Sequence, residues 1–237
     1  MSKDSTAIDL LPVKEVSEQK LKSFDLSKHL VKLLWDEPFY SRILRSITKI
    51  ESEDIPTAGV LATPDDIKFW WNRRFLASLK EEEVKGLLKH ECLHLILSHT
   101  TSRKKDPHIV WNYGTDLAIN SLIPQNQLPD GGLIPGEPLQ SLSDEDKEHM
   151  SDDQIETYNK LSRQIQNFPR NKTAEFYFER LKEEGHVEEL SGDGEGEFTF
   201  GFDDHGEWGE SGPEMSEIAK NEIKEILKDA IEEANNK

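Results

Sequence analysis

Residues 90–94 carry the pattern with the clearest chemical meaning, because His90-Glu91-Cys92-Leu93-His94 matches the motif H-E-x-x-H. On an α-helix, residues four positions apart lie one turn above each other, so both imidazoles can reach one metal ion. Glu91 then lies beside a metal-bound water without being a ligand itself. The alternative is two ordinary core histidines and a solvated glutamate. The surrounding Leu and Ile residues favour the metal site, since burying these polar groups without partners costs too much free energy.

A catalytic zinc usually has three protein ligands and keeps one position for water. His99 is the local candidate, but on a helix that continues past it the residue lies roughly 180° from the first motif histidine, so we expect it only to mark the helix end. Asp116 is the better candidate, because Asn112, Asp116 and Asn120 form a polar stripe on an otherwise apolar predicted helix. Two roles stay open for Asp116: metal ligand, or hydrogen-bond acceptor behind a ligand histidine.

The elements around the motif are predicted from periodicity and turn chemistry. Residues 57–62 and 67–72 alternate as the two strands of a β-hairpin, and the turn residues Thr-Pro-Asp-Asp lie between them. A capping-box pattern at Ser78 opens the motif helix, which we expect over about 79–100. Residues 124–150 are rich in Pro and Gly and then acidic, which predicts a long loop. Further helices are predicted at 24–50 (broken at Pro38), 106–123 (Asp106 as N-cap), 152–167, 173–184 (Thr173 as N-cap, Gly185 as stop) and 213–234.

The chain has 237 residues and a formal net charge of −18. Residues 124–237 carry 11 basic and 29 acidic side chains, so this half holds the whole imbalance and the motif region is near neutral. We predict a polar leader over 1–22 and a single domain over 23–237, whose second half from 124 is acidic and rich in loops. The acidity argues against nucleic acids and anionic membranes as partners.

Targeting and redox signals point to an intracellular protein. The one cysteine excludes an internal disulfide framework and fits a reducing compartment. The N-terminal residues have no apolar core of the secretory type, and no window approaches 18 consecutive apolar residues. We therefore expect a cytoplasmic location and no membrane span.

Several segments together resemble the metallopeptidase-domain family of bacteria and phages whose members often precede a von Willebrand factor A-like domain. The motif helix alone is generic, whereas the W-N…D-x-x-x-N and D-D-H…W segments make the resemblance specific. It extends over roughly residues 25–235. The matching segments are 57–60 (TAGV) through 71–72 (WN), 90–94 (HECLH) with Leu95 and His99, 111–112 (WN), 116–120 (DLAIN), 128–131 (LPDG), 172–177 (KTAEFY) and 203–205 (DDH) with Trp208.

The resemblance implies an α+β, zincin-like fold that is mostly helical, with a small mixed β-sheet packed on the motif helix. It implies zinc (Zn²⁺) as the cofactor, His90 and His94 as ligands, Glu91 as the catalytic base and Asp116 as the third ligand. His205 is the candidate for a group that folds back to stabilise the transition state. The alternative for His205 is a loop histidine beside two carboxylates.

These observations predict a zinc-dependent metallopeptidase that hydrolyses peptide bonds by a metal-activated water with Glu91 as general base. Its expected partners are a protein or peptide substrate and a protein that supplies a von Willebrand factor A-like domain. One alternative is a non-catalytic module of the same fold that binds a partner through its acidic C-terminal half. Another is hydrolysis of a non-peptide amide, because the metal chemistry does not name the substrate.

Overall fold

The computed structural model describes residues 8–9, 15–62, 66–99, 103–191, 198–199 and 217–235. In chain order the elements are β1 (Ile8–Asp9), α1 (Glu18–Ser23), α2 (Leu26–Asp36), α3 (Pro38–Arg45), β2 (Thr48–Glu51), β3 (Ala58–Ala62), β4 (Ile67–Trp71), α4 (Arg73–Ser78), α5 (Glu81–Ile96), α6 (His108–Asn120), a 3₁₀ turn (Gln125–Gln127), α7 (Asp144–Glu148), α8 (Asp152–Gln166), α9 (Ala174–Glu184), α10 (His186–Ser191), β5 (Phe198–Thr199) and α11 (Glu217–Asn235). The fold is therefore mostly helical α+β, as predicted.

The chain divides into two compact units. The motif unit comprises Val13–Lys104, Gln125–Pro129 and Asp203–Lys237, and it contains α1–α5, β2–β4, the 3₁₀ turn and α11. The helical unit comprises Met1–Pro12, Lys105–Pro124 and Asp130–Phe202, with α6–α10 and the parallel pair β1–β5. Among the described residues no helix is both long and apolar enough to cross a bilayer.

The motif unit contains a three-stranded mixed sheet in the order β2-β4-β3. β3 and β4 pair in antiparallel fashion, with Val60 opposite Phe69, so the predicted hairpin is confirmed; its turn residues 63–65 lie outside the described part. Ile67, Phe69 and Trp71 are buried and alternate with less buried neighbours, as the period of a strand requires.

The prediction that the helix around Pro38 continues to about residue 50 is wrong. Pro38 does divide two helices, because it occupies the first turn of α3, where its missing N–H is not needed. The helix then ends at Arg45, and β2 runs parallel to β4. The β-branched residues Thr48 and Ile50 favour an extended chain wherever a neighbouring strand offers ladder partners. The periodicity of the segment itself carries no information about the neighbouring strand β4.

The motif helix is confirmed as α5, but its predicted ends are wrong. Lys80 rather than Ser78 occupies the cap, and the Glu83 carboxylate accepts hydrogen bonds from the Lys80 backbone N–H at 2.8 Å and from Lys80 Nζ at 2.7 Å. Ser78 instead belongs to the end of α4, where its Oγ donates to the carbonyl of Phe75 at 2.7 Å. The short helix α4 therefore takes the serine that the capping pattern assigned to α5.

Close packing holds α5 within the motif unit. It contacts β3, α2, α3 and the 3₁₀ turn. Lys89 is buried, and its Nζ lies 2.8 Å from Glu37 Oε1 and 3.1 Å from Gln127 Oε1. At Gly86 an added Cβ would lie 1.8 Å from the Gln127 carbonyl oxygen, so only glycine permits this approach of helix and turn.

In the helical unit, α6 and α9 make the most extensive pairing. An added Cβ at Gly114 would lie 3.0 Å from the Ala174 carbonyl oxygen, which shows how closely the two helices pack. The predicted helices over 152–167 and 173–184 are confirmed as α8 and α9. Thr173 caps α9, and Gly185 ends it with a φ of 73°.

Two further predictions need correction. α6 has Pro107 in its cap position, one residue later than the predicted Asp106. The expected long loop over 124–150 is interrupted by the 3₁₀ turn and by α7, whose cap Ser143 accepts from the Asp146 N–H at 3.0 Å. A local side-chain cap is sufficient to start such a short helix in a polar stretch.

Replacing Gly86 with alanine is expected to lower the free energy of unfolding by at least about 2 kcal/mol, because the added methyl must displace backbone of the 3₁₀ turn. Urea unfolding followed by circular dichroism measures the loss. The matched control is Glu81→Ala on the same helix, whose exposed side chain predicts a change within about 0.5 kcal/mol. Equal midpoints for the two variants would contradict the close approach at Gly86.

Candidate metal centre

Helix α5 brings the two motif histidines together and buries them completely. His90, Glu91 and His94 each have 0% of their surface exposed. The Nε2 atoms of His90 and His94 lie 2.8 Å apart, with ring centroids 4.6 Å apart. One helical turn separates the two residues, so their rings converge without any irregularity in the helix. Two ring nitrogens this close require either a shared proton or a cation to relieve lone-pair repulsion.

A carboxylate belongs with the two histidines to one group that could hold a metal ion. Asp116 on α6 is 3% exposed, and one ligand atom from each of His90, His94 and Asp116 lies within 4.8 Å of the others. Within the described part of the chain, this is the one group of three or more metal-binding side chains. Two imidazole nitrogens and one carboxylate oxygen suit zinc and other divalent ions of similar preference.

The neighbouring cysteine is not a further ligand. Cys92 is buried, and its Sγ lies 3.7 Å from the carbonyl oxygen of Tyr40. Burial raises the pKa of the Cys92 thiol well above its usual value, and the negative charge of Glu91 adds to the effect. Cys92 also lies outside the group of side chains that could hold a metal ion, so it fills space in the core.

His99 contacts His94, contrary to the position expected for it. The expectation assumed a continuous helix, but α5 ends at Ile96 and Ser98 adopts a left-handed φ of 59°. The chain therefore turns back, and His99 is 1% exposed with its Nδ1 3.3 Å from His94 Nδ1. The missed signal is Ser98, a small polar residue directly after the apolar run, where a helix can end in a left-handed turn.

The polar stripe on α6 divides into residues with different contacts. Asn120 Nδ2 donates to the Leu133 carbonyl at 2.9 Å, so this side chain ties the helix to the following segment. Asn112 Nδ2 lies 3.4 Å from His108 Nδ1, a histidine that no sequence pattern singled out. The predicted site residue His205 lies outside the described residues.

The comparisons with known proteins point to one family. A family described as "Putative metallopeptidase domain" matches residues 21–235. An uncharacterized protein of Thermotoga maritima is 27% identical over 103 residues, which cover 42% of this chain and 26% of the relative. The aligned part is thus about a quarter of that relative's length. No solved structure matches the chain.

The turn after α5 can be tested at Ser98. Ser98→Val is expected to lower the free energy of unfolding by about 1–3 kcal/mol, because a β-branched residue is strained at positive φ. Ser98→Gly should stay within about 1 kcal/mol of the wild type, since glycine adopts this conformation freely. Both variants remove the same hydroxyl, so their difference in thermal unfolding isolates the backbone. Equal melting of the two would contradict the left-handed turn.

Proposed function

The chain belongs to the family described as "Putative metallopeptidase domain", and from that premise we propose that the protein is a zinc-dependent hydrolase of peptide bonds. His90, His94 and Asp116 hold the ion, and Glu91 is the general base. The observation that carries the proposal is the convergence of these three ligand side chains, all buried, within 4.8 Å. A protein or peptide is the substrate that membership of a peptidase family implies.

The charges of the buried groups support a divalent cation. Glu91 and Asp116 are 0% and 3% exposed, and two carboxylates removed from water need compensating positive charge. Three ligands with mixed nitrogen and oxygen donors are also the usual set of a catalytic zinc, which leaves a position for water. We assign Asp116 as a ligand rather than as a partner behind a histidine, because its carboxylate reaches the same small volume as the two ring nitrogens.

Each side chain has a separate task in the proposed reaction. A divalent ion at this position supplies a Lewis acid that polarises the peptide carbonyl and acidifies water. Glu91 follows His90 directly on α5, so its carboxylate accepts the proton of the attacking water and returns it to the leaving amine nitrogen. The buried surroundings of Glu91 exclude bulk water and strengthen its interactions with charged groups. His205 remains our candidate for a group that stabilises the transition state.

The cellular compartment and the partner of the protein are also proposals. The buried, protonated Cys92 is compatible with a reducing, cytoplasmic compartment. A partner that carries a von Willebrand factor A-like domain follows from the family resemblance alone. A pull-down with the full chain, compared between wild type and Glu91→Gln, separates such a partner from a trapped substrate, because only a substrate accumulates on the inactive variant.

Glu91→Gln should retain about one zinc per chain and lose hydrolysis of a peptide library by at least about 100-fold, the usual contribution of a general base. Elemental analysis and mass spectrometry of cleavage products measure the two effects. Glu81→Gln, an exposed position on the same helix, is the matched control and should cleave normally. A variant Glu91→Gln that still cleaves would remove Glu91 from the reaction. Zinc without any turnover in the wild type would favour the non-catalytic binding module.

Asp116→Ala distinguishes the two roles of this carboxylate. Loss of a hydrogen-bond partner behind a ligand weakens metal binding by about 10–100-fold, and loss of a ligand should exceed that range. Competition with a chromophoric chelator measures the zinc affinity. Asp144→Ala, at an exposed residue of α7, is the control and should bind zinc as the wild type does. A loss below about 100-fold would rule out direct ligation by Asp116.

A further inference from the structure

We infer that His99 is a positioning residue of the metal centre, which holds the ring of His94 through a hydrogen bond between the two Nδ1 atoms. The inference rests on the proposed metal site and not on the reaction carried out there. His99 lies outside the group of three converging side chains, so it acts on the ion only through His94.

The two nitrogens of His94 have different neighbours. Nε2 lies 2.8 Å from Nε2 of His90, the other histidine of the candidate metal group. Nδ1 lies 3.3 Å from His99 Nδ1, and the two rings meet edge to face with an interplanar angle of 71°. Both rings are buried, so this contact is shielded from competing water.

The contact is compatible with the tautomer that a ligand needs, because either ring can be the donor. A neutral imidazole has one N–H and one lone pair. If His94 binds an ion through Nε2, its proton must be on Nδ1, where it is donated to His99 Nδ1. The proton of His99 is then on its own Nε2. The opposite tautomer of His94 places a proton on Nε2 and excludes the ion, so donation from His94 Nδ1 to His99 stabilises the tautomer that can bind.

The backbone places His99 where this bond forms. The N–H of His99 donates to the carbonyl of His94 at 2.9 Å, and the N–H of Ser98 donates to the carbonyl of Leu95 at 3.0 Å. These two bonds are the Schellman pattern, which brings the second residue after the cap against the third residue before it. His99 and His94 occupy those two positions. The helix terminus therefore aligns both the backbone and the ring of His94.

A second layer of bonds stabilises the turn. The Arg103 N–H donates to the Ser98 carbonyl at 3.1 Å, and Arg103 Nη1 donates to the Leu97 carbonyl at 3.1 Å. The carbonyls of the cap residue Leu97 and of Ser98 are thereby satisfied, and a cationic side chain lies at the negative end of the helix dipole. The contact of His99 with His94 thus lies in a helix terminus that several hydrogen bonds stabilise.

Zinc affinity of the full chain tests the inference by competition with a chromophoric chelator. His99→Leu fills a similar volume without a hydrogen bond and should weaken zinc binding by about 10–100-fold. His99→Asn carries an oxygen near the position of Nδ1 and should stay within about threefold of the wild type. His99→Gln, whose oxygen corresponds more closely to Nε2, should bind less tightly than His99→Asn.

Zinc affinities that differ from these expectations would contradict the positioning role of His99 or the metal centre itself. Equal zinc affinity of His99→Leu and wild type would show that the bond has no positioning role. Equal losses in the Asn and Leu variants would point to packing alone. If His99→Leu fails to fold in apo-protein melting, the order of the Asn and Gln variants decides. A wild type without zinc affinity would contradict the proposed metal centre itself, not the role of His99.

Cobalt substitution distinguishes positioning from ligation. When Co²⁺ replaces zinc, its visible absorption bands report the coordinating atoms. In His99→Asn and His99→Leu these bands should keep their energies, because His99 does not coordinate the ion. A changed spectrum, with loss of metal comparable to His94→Ala, would make His99 a ligand and overturn the inference.

Discussion

The burial of His90, Glu91 and His94 on one helix is the constraint on which the rest of the structure depends. All three are fully removed from water, at a cost that an apolar core cannot offset by itself. The two histidines converge on each other, and Asp116 brings a further carboxylate into the same volume. His90, His94 and Asp116 could hold a divalent cation, which would balance these groups by charge and by coordination. In the proposed function the same ion would supply the chemistry of hydrolysis, so it would serve both stability and activity.

The framework of the motif unit keeps α5 rigid while it carries these polar groups. One side of the helix approaches the 3₁₀ turn so closely that Gly86 has no space for a side chain. Lys89 is anchored by Glu37 and Gln127, and β3 packs against the same helix. Backbone positions in α5 therefore have little freedom. A metal site at these two ring nitrogens, which lie 2.8 Å apart, would require such rigidity, because it tolerates only small errors in ligand placement.

Prediction from the sequence succeeded where the signal is local. Alternation in β4, the Thr173 cap and the Gly185 stop each depend on residues a few positions apart. It failed where a distant partner decides. Thr48–Glu51 became a strand because β4 lies beside it, and Ser78 closes α4 instead of opening α5. The position of His99 was missed because periodicity alone does not reveal where a helix stops.

The sequence by itself determined the chemistry that is available: two histidines one helical turn apart, a glutamate between them and a downstream aspartate on a polar stripe. Residue type and spacing are sufficient for that, since helical geometry is the same in any fold. Only the tertiary structure decided that these groups are buried and that Asp116 comes within reach of the histidines. It also decided that His99 turns back onto His94. Burial and approach arise from packing between segments distant in sequence, which no local pattern encodes.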